Sequence, residues 1–176
     1  MWVFWNMRIN IESVLKRDAA SSVKFDYMVE EPEKNGYIEL LDAEKIDFVN
    51  IFGEVSQKNG LPAVVYEITA CFYARCARCL EETLQTLKTS GEKYIAGLGE
   101  DKDDGENFYI SETDGVLDLD LFIVEFLGLS VPYRYLCFEE CAGLCHKCGK
   151  NLNEGGCSCP KKEKNPAFEI LDDLLQ

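Results

Sequence analysis

The cysteines are the residues of this chain best suited to chemistry, because nine of them occur in only 176 residues. Eight form four close pairs: Cys76 and Cys79, Cys137 and Cys141, Cys145 and Cys148, and Cys157 and Cys159. Such short spacings let a tight turn aim two thiolates at one ion, and four thiolates make a closed, structural zinc site. The eight residues are therefore predicted to be metal ligands in one or two structural Zn²⁺ sites.

The four pairs can be divided between two sites in more than one way. The most economical division is local, so that residues 145–159 form a small knuckle around its four cysteines. The pairs at 76/79 and 137/141 then form another site, which closes a long loop and should add stability. A division that joins 76/79 to 145/148 stays open. It also stays open that only the knuckle binds metal and that Cys76 and Cys79 are free thiols. The sequence also leaves an iron–sulfur cluster open, since thiolates hold those clusters too.

The charge and the remaining residue types exclude several classes of function. Lys and Arg number 18 against 32 Asp and Glu, a net charge of −14, which excludes coating of DNA or RNA by general electrostatics. The single histidine, His146, excludes most His-based catalytic and metal sites, and it is predicted to be a loop residue. No apolar run approaches the roughly 20 residues of a membrane span. With no export signal visible, the odd cysteine count and the tight pairs favour metal binding over disulfides, and therefore a reducing cytoplasm or an organelle matrix.

Basic residues are concentrated near the cysteines, whereas acids dominate elsewhere. Residues 134–164 contain six basic side chains: Arg134, Lys147, Lys150, Lys161, Lys162 and Lys164. They are interpreted as compensation for the thiolate charge, and the alternative is a small patch that contacts phosphates. The acidic stretch at 100–120 is a candidate contact for a basic protein.

Hydrophobic periodicity predicts the elements that position the cysteines. Alternation predicts strands at 23–29, 46–57 (with a bulge at Gly53), 63–74 and 83–95, with a turn at Lys58-Asn59-Gly60. Val64, Tyr66, Ile68, Ala70 and Phe72 share the buried face of one strand. The unpaired Cys71 lies in the same strand, where it is interpreted as a small buried side chain.

The second half of the chain alternates between loops and short elements. Residues 97–106 are predicted to be a solvated loop and 107–111 a short strand. A buried helix is predicted over 118–129, with Asp114 or Asp118 at its N-terminus and Gly128 and Pro132 at its end. A terminal helix is predicted over 168–175.

Three motifs, in this order, resemble those of a known family. The first is Cys76-Ala77-Arg78-Cys79-Leu80, which resembles its C-x-R-C-L motif. The second is Leu117-Asp118-Leu119 followed by Glu125, Leu129 and Pro132, and the third is Gly143-Leu144-Cys145, Cys148-Gly149 and Asn151-Leu152-Asn153. The chain is thereby similar to the YceD family, named for accumulation of the large ribosomal RNA subunit. The resemblance implies a cytoplasmic, non-enzymatic role, with the large-subunit precursor, its rRNA or a basic ribosomal protein as partner.

The expected architecture is α+β. Residues 7–136 are expected to form a core domain with an antiparallel sheet and one buried helix, and in one version of this prediction the sheet is curved into a partly closed barrel. Residues 137–176 are expected to form a Cys-rich zinc module.

The alternative function is a zinc-dependent redox-sensing chaperone, because thiolates release metal on oxidation. The C-x-C motif follows the C-x-x-C motifs here, which is the reverse of the order in known redox chaperones. A zinc enzyme is not expected, since the deaminase pattern H-x-E is absent.

Overall fold

The computed structural model describes residues 7–16, 21–96, 108–110 (backbone only) and 115–160. The strands are β1 (Arg8–Asn10), β2 (Ser22–Met28), β3 (Lys45–Lys58), β4 (Leu61–Arg75), β5 (Glu82–Ala96), β6 (Phe108–Ile110) and β7 (Val116–Asp118). The helices are α1 (Glu12–Leu15), α2 (Tyr37–Leu41) and α3 (Leu119–Ser130), with a 3₁₀ turn at Leu152–Glu154. None of the helices in these ranges has the length and apolar character needed to cross a membrane.

The main sheet has the strand order β2-β3-β4-β5-β6 and is open. Neighbours from β2 to β5 are antiparallel, whereas β6 is parallel to β5, and β1 pairs with β7 in a separate two-stranded sheet. The α+β class with antiparallel sheets is confirmed. The partly closed barrel is wrong: closure requires hydrogen bonding around the whole circumference. Here the edge strands have only seven and three residues, and they do not pair with each other.

The β3–β4 hairpin matches its sequence prediction. Asn59 and Gly60 adopt φ angles of 53° and 79°, the conformation of a type I′ turn, and Lys58 pairs with Leu61. Along β4 the predicted face is buried, with Val64, Ile68 and Phe72 fully inaccessible to solvent. The alternation in the sequence therefore reports directly which side of the sheet faces the core.

Gly53 has a different role from the predicted bulge. It stays in regular register opposite Phe25 of β2, and the irregularity between β3 and β4 lies between Ile46 and Phe48 instead. A Cβ atom at Gly53 would overlap the carbonyl oxygen of Val65 and lie 2.7 Å from Cζ of Phe25. Glycine is required here because backbone and ring approach too closely for any side chain.

Helix α3 packs on the buried face of the sheet. Tyr66 of β4 meets Phe122 edge-on, with ring centroids 4.8 Å apart, and lies 5.2 Å from Phe126. The predicted buried helix is confirmed, and of the two candidate N-terminal acids it is Asp118 that caps it. Gly128 does not end the helix but lies inside it, where an added Cβ would be 3.1 Å from Leu40 of α2.

Other sequence predictions have mixed outcomes. The predicted strand at 107–111 is present as β6, whereas the predictions for 97–106 and 168–175 fall outside the described residues. The prediction of a buried Cys71 is wrong. Because Cys71 alternates with the buried Ala70 and Phe72, it lies half-buried on the outer face, with Sγ 4.0 Å from Oγ1 of Thr86.

Replacing Gly53 by alanine should destabilise the protein by about 2 kcal/mol or more, since overpacking of this kind costs roughly 1–3 kcal/mol. The matched control is Gly156→Ala, where an added Cβ meets nothing within 4 Å. Chemical denaturation of both variants measures the difference. Equal midpoints for the two variants would show that β3 can relax around the added methyl group.

Two variants of Asp118 can separate its capping of α3 from its ion pair with Arg8. The Asp118 carboxylate accepts hydrogen bonds from the backbone N–H groups of Asp120 and Leu121 at 3.1 and 3.2 Å, and it pairs with Arg8 at 3.2 Å. Asp118→Ala should lower the free energy of unfolding by about 1–2 kcal/mol, whereas Asp118→Asn, which keeps a capping oxygen, should cost only a few tenths. Equal losses in thermal denaturation would assign the effect to the ion pair instead of the cap.

Candidate metal centres

The first cluster consists of Cys76, Cys79, Cys137 and Cys141. Its first two cysteines lie in the turn that joins β4 to β5. Cys76 donates its backbone N–H to the carbonyl of Glu81 and its own carbonyl accepts from Leu80, both at 2.9 Å. Leu80 has a left-handed φ of 63°, which tightens this turn. The register of the two long strands therefore presents both sulfurs at one end of the sheet.

The other two cysteines reach this end through the segment that follows α3. Tyr135 is the anchor of that segment: its hydroxyl donates to the carbonyl of Leu41 at 2.9 Å, and its ring meets Phe72 edge-on at 5.3 Å. The backbone N–H of Ala77 donates to the carbonyl of Tyr135 at 2.9 Å. Gln85 of β5 donates to the carbonyl of Leu136 at 3.3 Å. These contacts bring cysteines 58 positions apart into one cluster.

The sulfur geometry of the first cluster fits a single tetrahedral ion. Sγ of Cys76 lies 3.8 Å from that of Cys141, and Sγ of Cys79 lies 3.6 Å from that of Cys137. All four sulfurs lie within 4.8 Å of one another. Tetrahedral coordination with a Zn–S distance of ~2.3 Å places neighbouring sulfurs about 3.8 Å apart. None of these contacts is a disulfide, which would need about 2.05 Å, and all four cysteines are free.

The protein environment does not favour four thiolates at once. Burial opposes ionisation of Cys76, but backbone N–H groups of its own turn and of Cys137 lower its pKa to about 6. Burial and the neighbouring sulfurs raise the pKa of Cys137 to about 12. A backbone N–H of Glu81 favours ionisation of Cys79, yet burial and the sulfurs of Cys76 and Cys141 raise the pKa of that thiol overall. The backbone thus supports some of the negative charges, and a bound cation would have to support the rest.

The second cluster consists of Cys145, Cys148, Cys157 and Cys159, whose sulfurs also lie within 4.8 Å of one another. Its loop is closed by two 2.8 Å backbone hydrogen bonds, from Cys145 to the carbonyl of Lys150 and from Gly149 to the carbonyl of Cys145. Gly149 has a φ of 73°, which favours glycine. Sγ of Cys157 lies 3.4 Å from that of Cys145. The local division of the cysteines, and not the one that joins 76/79 to 145/148, is therefore the arrangement in the structure.

The second cluster repeats the electrostatic pattern of the first at the surface. Backbone N–H groups of Cys148 and Lys147 lower the pKa of Cys145 to about 6, whereas the neighbouring sulfurs, with burial, raise that of Cys159 to about 12. Cys148 is exposed, in contrast to the buried Cys76, Cys79 and Cys141 of the first cluster. The two clusters therefore have the same donors but different access to solvent.

The basic residues among the cysteines bind backbone oxygens. The guanidinium of Arg78 donates to the carbonyls of Glu139 and Cys141 at 3.1 and 2.8 Å, and Lys150 donates to the carbonyl of Gly156 at 2.9 Å. Because these side-chain bonds reach carbonyl oxygens and not sulfur, the interpretation of the basic residues as compensation for thiolate charge stays a prediction. His146 is exposed and lies in a turn, which confirms the predicted loop position, and each cluster of the described residues consists of four cysteines.

Sequence reasoning missed three polar residues that connect the clusters. Asn153 donates to Sγ of Cys141, and Asn151 donates to Glu81 in the turn of the first cluster. The Asn-Leu-Asn motif marked this loop, but its spacing gave no sign of the partners. Each cluster supplies four sulfur donors and leaves no position for a substrate, so the arrangement can hold an ion and join segments but does not resemble a catalytic centre.

Comparison with known proteins finds relatives of this chain. A chloroplastic homolog 1 of the large ribosomal RNA subunit accumulation protein YCED from Arabidopsis thaliana is 32% identical over 60 residues, which cover 34% of this chain and 19% of that protein. An uncharacterized protein of Mycobacterium leprae is 29% identical over 116 residues, which cover 61% of this chain and 50% of that protein. The chain thus spans half or less of the length of these relatives, and no solved structure matches it. The family model of the large ribosomal RNA subunit accumulation protein YceD matches residues 64–175, so the chain belongs to the YceD family.

Proposed function

We propose that this protein is a non-enzymatic ribosome-biogenesis factor that promotes accumulation of large-subunit ribosomal RNA in the cytoplasm. Family membership is the observation that carries this proposal. The closed four-sulfur clusters support a role without catalysis, because catalytic metal sites keep a coordination position open. A relative described as chloroplastic carries the same family name.

Both clusters are proposed to bind structural zinc through the eight predicted ligands, Cys76, Cys79, Cys137, Cys141, Cys145, Cys148, Cys157 and Cys159. The sulfur separations support one ion per cluster. An iron–sulfur cluster would place several metal and sulfide atoms between the ligands and would hold them further apart. In this proposal residues 7–136 form the core domain and 137–176 a Cys-rich module, fastened to the core by the first ion.

A basic ribosomal protein is the partner that the described surface supports best. The outer face of the main sheet carries a groove of about 840 Å³. Its lining combines apolar side chains, three carboxylates and two lysines: Phe52, Val65, Asp26, Glu54, Glu67, Lys24 and Lys58. Because Lys58 is paired with Glu92 at 2.6 Å, the groove has an excess of negative charge. Together with the net charge of −14, this favours a basic protein over direct contact with rRNA.

The zinc proposal predicts two zinc ions per chain by elemental analysis of the purified protein. Cys76→Ser/Cys79→Ser should leave about one ion and destabilise the core by several kcal/mol, because it releases the segment after α3. Cys148→Ser/Cys159→Ser should also leave one ion but change the thermal stability of the core less. Cys71→Ser is the matched control and should keep both ions. Iron with acid-labile sulfide, or equal zinc loss in Cys71→Ser, would contradict the proposal.

The partner proposal predicts that the tagged chain, captured from its own host at low salt, enriches large-subunit precursors and basic large-subunit proteins. An RNase step should leave the direct protein contact in place. Glu54→Lys/Glu67→Lys should reduce capture about tenfold, since opposed like charges cost at least ~1.4 kcal/mol. The control Glu33→Lys/Glu39→Lys reverses two charges outside the groove. Loss of all capture after RNase would favour an RNA contact, and capture of unfolded proteins only after oxidant would favour the redox chaperone.

A further inference from the structure

The loop of the second cluster reaches into the first cluster through one side chain. Asn153 donates from its amide nitrogen to Sγ of Cys141 at 3.2 Å. Its amide oxygen accepts from the backbone N–H of Ala142 at 2.7 Å, which sets the direction in which the amide points. The amide therefore bonds at the same time to a candidate ligand of the first cluster and to the residue that follows it.

Asn153 is itself held by the fold of the second loop. Asn151 accepts from the backbone N–H of Asn153 at 3.0 Å and so caps the short 3₁₀ turn. The other end of the Asn151 amide donates to Glu81 at 2.8 Å, and Glu81 lies in the β4–β5 turn of the first cluster. One asparagine thus positions the other and also ties the loop to the hairpin.

Backbone contacts join the same two parts of the chain. Leu144 pairs with Asn151 as an isolated bridge, and its N–H donates to the carbonyl of Arg78 at 3.1 Å. Leu152 donates to the carbonyl of Gly143 at 2.8 Å. A Cβ atom at Gly143 would lie 2.9 Å from the carbonyl oxygen of Arg78, so the two segments are in direct backbone contact.

We propose that Asn153 is a positioning residue that couples the two clusters, so that the first binds its ion more tightly when the second is filled. The inference rests on the proposed zinc function. Sulfurs at 145, 148, 157 and 159 enclose the Asn-Leu-Asn loop from both sides in the sequence, so an ion there holds the loop in the conformation that presents Asn153. The N–H group then stabilises negative charge on the Cys141 sulfur, which a ligand thiolate must carry.

The coupling is reciprocal by thermodynamic necessity: the ion of the first cluster must favour the second by the same factor. The clusters differ in solvent access, so the second cluster is expected to lose its ion before the first. The second cluster, with its exposed Cys148, is open to chelators and oxidants, whereas three cysteines of the first are buried. Loss of the outer ion therefore loosens the inner site, which on its own geometry would be protected.

The experiment is a double-mutant cycle on the full chain, with Co²⁺ as the probe ion because its bonds to thiolate have characteristic absorption bands. Asn153→Leu removes the donor at similar volume, and Cys148→Ser/Cys159→Ser disables the second cluster. The cobalt–thiolate absorption that remains in the Cys148→Ser/Cys159→Ser chain comes from the first cluster. With the second cluster intact, Asn153→Leu should weaken Co²⁺ binding at the first about tenfold or more. In the disabled background the same change should have no more than about a twofold effect.

Two further readouts separate coupling from general damage. Loss of the N–H···S bond should shift the sulfur-to-cobalt charge-transfer band to lower energy, which a loss of packing alone would not do. Asn153→Asp keeps the oxygen that accepts from Ala142 but places a carboxylate beside Cys141, so it should weaken binding at least as much. The control is Glu154→Gln, an exposed neighbour for which the described residues show no hydrogen bond. Near-UV circular dichroism of the aromatic core verifies folding.

The outcomes are distinct. Equal effects of Asn153→Leu in the two backgrounds, or no effect and no band shift, would overturn the coupling while leaving the zinc sites intact. A wild-type chain that binds no Co²⁺ and contains no zinc would instead overturn the proposed metal function itself. A first cluster that binds equally tightly whether or not the second is filled would also refute the inference.

Discussion

Four sulfur atoms within 4.8 Å of one another are the constraint on which the organisation of this protein depends. Thiolates at that separation repel strongly in a buried site, and the backbone dipoles here favour ionisation of only some of them. An ion at the centre converts this repulsion into attraction. The first cluster would then hold the end of the longest hairpin against the segment that follows α3, and the second cluster is in turn held against the first.

The aromatic core places the segments for this cluster before any ion is considered. Tyr66, Phe122 and Phe126 hold α3 on the sheet, and Tyr135 then fastens the following segment by a buried hydrogen bond and a contact with Phe72. Burial of these rings supplies free energy that does not depend on metal. The fold thus delivers the cysteines to the right place, and the proposed ion locks a geometry that packing has already approached.

The sheet and the Cys-rich segment form different parts of the described surface. The sheet offers one face to the core and leaves the other, with its acidic and apolar groove, to solvent. The Cys-rich segment lies against the β4–β5 turn at one end of that sheet.

The sequence by itself determined the long strands, the buried helix and the residues that are candidate metal ligands. Alternation in β4, the Asn-Gly turn and the apolar run of α3 are local signals, because each depends on the period of one element or on two or three neighbouring residues. The C-x-x-C spacings likewise specify pairs of donors, and the three motifs identified the family. The predictions for β4, the turn and α3 are confirmed in the structure because they need no knowledge of distant residues.

The tertiary structure alone decided how the pairs combine, why Gly53 is a glycine and what the Asn-Leu-Asn motif contacts. Gly53 looked like a bulge because its neighbours on β2 and β4 are not encoded in its own segment. The sheet is open because its edge strands are short and do not pair with each other, and the sequence of one strand does not show which strands it pairs with. The bond from Asn153 to Cys141 is local in sequence, but it matters only because distant cysteines complete the cluster. Cys76 lies 65 positions before Cys141, and Cys79 lies 58 positions before Cys137. Periodicity records which side of an element is buried, and only packing in three dimensions decides what it is buried against.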